Sequence, residues 1–184
     1  MRAAEARKVL QHWDARGKYV FSRHFLRRLF ADDSDRAFNK GLARLVEQGV
    51  LERVCRSVYR NPLALNTDGY AIEHIAIALR TGHYNYVSLE SALSEHGIIS
   101  QIPLDRLTVM TTGRRGVYTT EAGTIEFTHT MRPLADILDG IVSVPGRPLR
   151  LATPESAWRD LKRVGRNIHL VDQKELEHVL RASR

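Results

Sequence analysis

The clearest pattern of apolar and polar positions in the chain runs from Ser22 to Arg60. Two stretches with helical spacing of apolar residues flank a polar turn, and Gly49 and a short basic hairpin follow. Ser22 and Ser34 precede the two stretches, where a serine hydroxyl can cap a first turn. This order predicts a helix-turn-helix with a β-hairpin wing. The inward-facing residues would be Phe25, Leu26, Leu29 and Phe30 in the first helix and Phe38, Leu42, Leu45 and Val46 in the second.

The opposite face of the second helix is basic, small or polar. Its members are Arg36, Lys40, Ala43 and Glu47, with Arg44 beside them. Such a face matches a recognition helix that lies in the major groove of DNA. Winged helices also mediate protein contacts, however, and a basic helix face is often only solvated, so the pattern alone leaves both interpretations open.

The elements around this motif complete a small module. Residues 3–16 have the pattern of a first helix, and residues 19–21 are β-prone and can pair with the wing. The wing itself would consist of residues 50–54 and 58–60, joined through Cys55, Arg56 and Ser57. Because Asn61 precedes Pro62, which disfavours helical angles, we predict that a DNA-binding domain spans residues 1–62.

The remainder, residues 63–184, mixes helical and alternating patterns and predicts a second domain. Between residues 107 and 130 the period changes to two, which we interpret as a three-stranded antiparallel meander. Thr67 or Asp68, Ser88, Thr153 and Asp172 are expected to cap helices. The predicted fold class is α+β: an N-terminal winged helix-turn-helix, then helices flanking a mainly antiparallel sheet.

Charge separates the two predicted domains. Residues 1–62 hold 14 lysines and arginines against 7 acidic residues, whereas residues 63–184 hold 14 of each. The whole formal net charge of +7 therefore lies on the first domain. A surplus of positive charge confined to the helix-turn-helix is expected of a domain that binds a polyanion. It favours binding to double-stranded DNA over the alternative that the basic face is only solvated.

Other residue types exclude several classes of function. A single cysteine rules out an internal disulfide and a cysteine-rich zinc site, and the eight histidines show no metal-site spacing. No secretory leader and no stretch of about 18 apolar residues is visible, so we expect a cytoplasmic protein without a membrane partner. We expect no cofactor, and Cys55 is interpreted as a packing residue.

Catalysis is the weakest interpretation. No phosphate-cradling glycine loop or nucleophile elbow is present, and helix capping accounts better for Ser88. Asp160 and Lys162, with Glu126 or Asp139, could imitate the metal-binding cluster of some nucleases. Because Asp160 falls in a helical pattern where a strand is usual, a solvated helix face is the ordinary interpretation. The sequence therefore predicts no enzyme.

Three segments together resemble a known family. They read GVLERVCRSVYRNP, YVSLESALSEHGI and LRLATPESAWRDL. Their order resembles the AbiEi family, the antitoxins of type IV toxin–antitoxin systems associated with abortive phage infection. The resemblance implies a protein that binds inverted repeats in its own promoter and represses transcription. It also implies that the C-terminal domain opposes a nucleotidyltransferase-like toxin without forming a stable complex.

Carried onto this chain, the resemblance places the DNA contacts on the second helix and its flanks. Arg36, Lys40 and Arg44 are expected at base edges or phosphates, and Asn39 is a candidate adenine reader. Phosphate contacts are expected from Arg23, Arg27, Arg53 and Arg56. In the family the wing often contains Arg-Gly-Val-Tyr, and here Ser57 replaces the glycine. Two alternatives remain open: a stand-alone regulator whose C-terminal domain senses a ligand or mediates assembly, and a nuclease-like enzyme.

Overall fold

A computed structural model describes residues 2–100 and 105–182 of the chain. These residues form two compact units, one that ends at Thr81 and one that begins at Gly82. Each unit has its own sheet. The mixed α and β composition of the predicted fold class is confirmed.

The unit that ends at Thr81 is a winged helix. Its three-stranded sheet has the order β1-β3-β2, and both neighbouring pairs are antiparallel. The predicted pairing of the strand near residue 20 with the wing is confirmed. The elements are α1 (Ala3–Asp14), β1 (Val20–Ser22), α2 (Arg23–Leu29), α3 (Asp35–Glu47), β2 (Glu52–Cys55), β3 (Val58–Arg60) and α4 (Ala71–Leu79).

Serine caps begin α2 and α3 as the sequence predicts. Oγ of Ser22 accepts a hydrogen bond from the backbone N–H of Phe25 over 3.1 Å. Oγ of Ser34 accepts one from Ala37 over 3.3 Å. Each bond satisfies a donor that the first helical turn leaves without a partner. Both helices turn their apolar faces into one buried core with Leu10, Phe21 and Leu51.

Helix α4 belongs to this first unit, although the boundary predicted at residues 62 and 63 assigns it to the second. The helix packs against β1 and β3. Asp68, expected to cap it, lies before it and accepts hydrogen bonds from the hydroxyl of Tyr19 and the backbone of Tyr70, each over 2.9 Å. Nε2 of His74 lies 2.9 Å from the same carboxylate. The compact unit therefore extends past Pro62, because this network joins α4 to Tyr19, which directly precedes β1.

The unit that begins at Gly82 contains a six-stranded sheet of order β6-β7-β5-β4-β9-β8. Three neighbouring pairs are antiparallel and two are parallel. Helix α5 packs against β5 and α7, and α7 also packs against β9 and α8. The elements are β4 (Asn85–Val87), α5 (Leu89–Glu95), β5 (Arg106–Thr111), β6 (Gly116–Thr120), β7 (Gly123–His129), α6 (Leu134–Leu138), β8 (Ile141–Val142), β9 (Arg150–Ala152), α7 (Pro154–Val164) and α8 (Gln173–Ala182).

The meander predicted over residues 107–130 is confirmed in part: its three strands are present and β6 pairs with β7 in antiparallel fashion, but the position predicted for β5 is wrong. Strand β5 pairs in parallel with β7, and β6 lies outside β7 at the edge of the sheet. Residues 107–111 of β5 are all buried, as expected for a central strand between β4 and β7. Strand β6 alternates between exposed and partly buried residues. A period of two identifies strands but does not say which strands are neighbours.

Two expectations about Ser88 and Asp160 are also wrong. Ser88 makes no side-chain cap to α5, and its hydroxyl instead donates to Oδ2 of Asp160 over 2.9 Å. The hydroxyl of Tyr86 donates to the same oxygen over 3.1 Å, and Nη1 of Arg132 lies 3.8 Å from Oδ1. Asp160 is 1% exposed, so it does not lie on a solvated helix face. The face of α7 that carries Asp160 is turned inward. Tyr86, Ser88 and Arg132 contact the carboxylate there, as a buried charge requires.

Candidate nucleic-acid interface

Helix α3 has one buried and one exposed face. Phe38, Gly41, Leu42 and Leu45 are buried and fix the rotation of the helix about its axis. The opposite face is exposed and carries cations, one amide and one small residue. Its members are Arg36, Asn39, Lys40, Ala43 and Arg44. The structure thus places four of the expected DNA-contacting side chains together on one solvent-facing helix surface.

Arg27 lies in the last turn of α2, and its side chain reaches the turn between α2 and α3. Its Nη1 donates to the carbonyl of Phe30 over 2.8 Å, its Nη2 donates to that of Asp33 over 2.9 Å, and its Nε pairs with Asp35 at 3.1 Å. The guanidinium also lies 5.5 Å from the centroid of the Phe38 ring. Arg27 was expected at a phosphate. In the structure all three of its guanidinium nitrogens contact groups in or beside this turn.

Arg23 joins three elements of the unit. Its backbone N–H donates to the carbonyl of Ser57 in the wing over 2.8 Å. Its Nη2 donates to Oδ1 of Asn39 on α3 over 2.6 Å, and its guanidinium lies 5.5 Å from the centroid of the Phe38 ring. Sequence reasoning did not find this bond, because no spacing rule pairs residues that lie on different helices.

The wing presents cations to solvent. Arg53 on β2 and Arg56 in the turn are exposed, as a phosphate-contacting role requires. Arg60 pairs instead with Glu52 across the hairpin, at 2.6 Å. Ser57 has a φ of 65°, so the turn uses the left-handed conformation that glycine adopts most easily. Burial raises the pKa of the half-buried Cys55 thiol, which disfavours the reactive thiolate and agrees with a packing role.

The charge surplus remains when α4 is included in the unit. Residues 1–81 hold 15 lysines and arginines against 9 acidic residues. Lys18 is one of these cations, and its ammonium lies 4.7 Å from the centroid of the Phe25 ring. Burial lowers the pKa of Lys18. The positive charge is therefore a property of the whole winged-helix unit, and its exposed members include the cations on α3 and in the wing.

The described residues contain no cluster of three histidine, cysteine, aspartate or glutamate side chains suited to a metal ion. Glu126, a candidate with Asp160 for a nuclease-like metal-binding cluster, pairs with Arg106 and Arg166. In the same part of the chain, none of the helices has the length and apolar character needed to cross a lipid bilayer.

The fold and the exposed basic helix define the N-terminal unit as a winged helix of the kind found in DNA-binding regulators. Residues 8–62 match the family model described as "Transcriptional regulator, AbiEi antitoxin", which assigns this module to the AbiEi family. The resemblance that the sequence shows is confirmed over these residues, and the match supports a DNA-binding regulator.

One solved structure with a similar fold is the crystal structure of the RV2827C protein from Mycobacterium tuberculosis. The alignment covers 97% of this chain and 71% of that chain, with 15% sequence identity and a TM-score of 0.51. At this identity the similarity concerns the fold alone. No curated protein matches the chain.

Proposed function

We propose that this protein is an antitoxin of a type IV toxin–antitoxin pair that binds inverted repeats in its own promoter and represses transcription. One observation carries the DNA-binding part: α3 exposes Arg36, Lys40 and Arg44 on the face opposite its buried residues. A helix held in this way can enter the major groove with its cations towards the bases and the phosphates.

The wing would supply contacts of a different kind. Arg53 and Arg56 are exposed on a hairpin that packs beside α2 through the Arg23–Ser57 hydrogen bond. Exposed arginines on a hairpin suit the phosphate backbone, which positions a protein on the duplex without reading its sequence. Affinity should therefore fall steeply with salt, while base preference should depend on α3.

The C-terminal unit would counteract a nucleotidyltransferase-like toxin in the cytoplasm, without a stable complex between the two proteins. Support for this part comes from the antitoxin family match of the N-terminal module and from the sequence resemblance. The separate sheet and core of the second unit are consistent with a task distinct from DNA binding.

Repression is tested in cells with a reporter gene under the control of the DNA upstream of the coding sequence. The full-length protein should repress the reporter, and a triple variant, Arg36→Ala, Lys40→Ala and Arg44→Ala, should relieve repression. A variant with Lys174→Ala and Arg181→Ala on α8 serves as a control for a loss of positive charge elsewhere. Equal repression by the wild type and the triple variant would show that α3 is not the DNA-binding element.

The antitoxin part has its own test. A neighbouring gene for a nucleotidyltransferase-like protein is expressed alone and together with this protein, and growth is measured. Co-expression should restore growth, and the α3 triple variant should restore it equally when both genes are under foreign promoters. Toxicity that this protein fails to relieve would refute the antitoxin role and leave the repressor role intact.

A further inference from the structure

A short hydrogen bond fixes the orientation of the Asn39 amide on the exposed face of α3. Nη2 of Arg23 donates to Oδ1 of Asn39 over 2.6 Å. Because a guanidinium group carries donors only, the amide must turn its oxygen towards Arg23 and direct its NH₂ group elsewhere. A hydrogen bond with one charged partner is stronger than a neutral one. The amide is therefore oriented before any ligand binds.

Arg23 is itself held from two further directions. Its backbone N–H bonds to Ser57 in the wing turn, and its guanidinium lies over the ring of Phe38, which is fully buried. The cation–π contact and the bond to Asn39 engage the same guanidinium. A side chain anchored in this way is suited to hold a neighbour in place.

Asn39 keeps the groups that recognition of a base requires. Its amide oxygen has two lone pairs, of which Arg23 uses one, and its NH₂ group has two donors. Adenine presents the N7 acceptor and the N6 donor in the major groove, and one asparagine amide can pair with both. The bond to Arg23 thus leaves the adenine-reading edge of Asn39 available.

We propose that Arg23 is a positioning residue that holds the Asn39 amide in the orientation for reading an adenine in the major groove. This inference rests on the proposed DNA-binding function. It replaces the phosphate contact expected for Arg23 with a role in base specificity. It also links the wing to base reading, since the same residue is tied to the wing turn through Ser57.

The test measures affinity for the native upstream duplex and for duplexes in which single A·T pairs are replaced by G·C, at two salt concentrations. The proteins compared are the wild type, Asn39→Ala, Arg23→Met and the double variant. Methionine keeps an unbranched side chain and the backbone bond to Ser57, and it removes every side-chain donor. Asn39→Ala and Arg23→Met should each lose about tenfold discrimination at the same base pair. The double variant should lose no more than Asn39→Ala, because the two residues act as one unit.

Arg53→Ala is the matched control, since Arg53 is an exposed wing arginine. It should weaken binding to all duplexes alike and reduce the salt slope by about one, as the loss of a phosphate contact does. Arg23→Met should leave the salt slope close to that of the wild type. Arg23→Lys is a second variant that retains the charge: a phosphate role predicts unchanged discrimination, whereas a positioning role predicts a reduced one, because lysine lacks the planar fork.

Uniform weakening by Arg23→Met, with the salt slope reduced by about one, would make Arg23 a phosphate contact and overturn the inference. Unchanged discrimination in Asn39→Ala would overturn it as well. Both results leave the proposed function standing as long as the wild type prefers the native duplex. If the wild type shows no preference for that duplex over a scrambled one, the proposed function itself fails.

Discussion

The guanidinium of Arg27 lies 3.1 Å from the carboxylate of Asp35, across the turn that joins α2 to α3. The same side chain donates to the carbonyls of Phe30, Ala31 and Asp33. These three carbonyls follow the end of α2, where the backbone has left the helix, and one arginine donates to all of them. Arg27 therefore fixes the turn and, with it, the direction in which α3 points.

Replacing Arg27 with alanine should lower the free energy of unfolding of the N-terminal unit by about 2 kcal/mol, since hydrogen bonds to a charged group are lost. Urea denaturation followed by Trp13 fluorescence measures this. A Trp158→Phe background leaves Trp13 as the single tryptophan, because the chain has two. Arg28→Ala is the control, because Arg28 is exposed on the same helix and its loss should change stability by less than about 0.5 kcal/mol. Equal losses in both variants would contradict the role given to Arg27.

The wing turn should become more stable when Ser57 is replaced by glycine. The φ of Ser57 is 65°, a conformation that costs an L-residue about 1 kcal/mol and costs glycine little. Greater chain entropy of glycine in the unfolded state offsets part of the gain. Ser57→Gly should therefore raise the melting temperature of the N-terminal unit, and Ser57→Ala, which keeps a Cβ, should not. A lower melting temperature for the glycine variant alone would show that this backbone angle is not strained.

Loss of the buried Asp160 carboxylate should destabilise the C-terminal unit by about 3 kcal/mol, because the hydroxyls of Tyr86 and Ser88 and the Arg132 cation lose their shared acceptor. Asp160→Ala is compared with Asp136→Ala, at an exposed site on α6, by denaturation followed through Trp158 in a Trp13→Phe background. A small effect at Asp160, matching that at Asp136, would show that the network contributes little.

The hydrogen-bond network around Asp160 also affects the ionisation of Tyr86. Burial, and then the negative charge of Asp160, raise the pKa of Tyr86 above the ordinary value of 10.0. The folded unit should therefore lose stability as the pH rises through about 10, where a tyrosine in the unfolded chain releases its proton. Tyr86→Phe should reduce this loss in alkaline denaturation, relative to Tyr84→Phe at an exposed site.

Stability of the N-terminal unit should also depend on Asp68 in acid. Burial alone would raise the pKa of Asp68, but hydrogen bonds from His74, the backbone of Tyr70 and Tyr19 lower it below the ordinary 3.8. A carboxyl group with a lowered pKa in the folded state stabilises the protein above its ordinary pKa, and this stabilisation is lost as the pH falls through the lowered value.

Asp68→Asn should therefore be less stable than the wild type near neutral pH, and the difference should shrink as the pH falls below about 4. Unfolding followed by Trp13 fluorescence across this range provides the measurement. Asp32→Asn, at an exposed turn position, should show no such convergence. A stability difference at Asp68 that stays constant with pH would refute the ionised role of this side chain.

The helix-turn-helix could be predicted from the sequence because its signals are local. Serine caps at Ser22 and Ser34 and apolar residues at helical spacing act within a few residues of each other, and the structure shows both. The order of strands in the C-terminal sheet could not be predicted in the same way. Whether β5 pairs with β6 or with β7 depends on contacts between distant parts of the chain.

Long-range contacts also account for the side chains whose roles the sequence did not show. A serine before a helix ordinarily caps it, but Ser88 bonds to Asp160, far along the chain. The positions of Arg36, Lys40 and Arg44 on an exposed face follow from helical periodicity alone. The contacts of Arg23 with Asn39 and of Arg27 with Asp35 depend on how α2 and α3 pack against each other. Periodicity within one helix carries no information about that packing.

The measurement that tests the account most directly is a binding titration of the full-length protein against the DNA upstream of its coding sequence and a scrambled duplex of the same length. Fluorescence anisotropy at two salt concentrations gives both affinities. The account predicts tighter binding to the native duplex, a steep loss of affinity with salt, and loss of the preference in the triple α3 variant. Equal affinity of the wild type for both duplexes, or an unchanged preference in the triple variant, would contradict it.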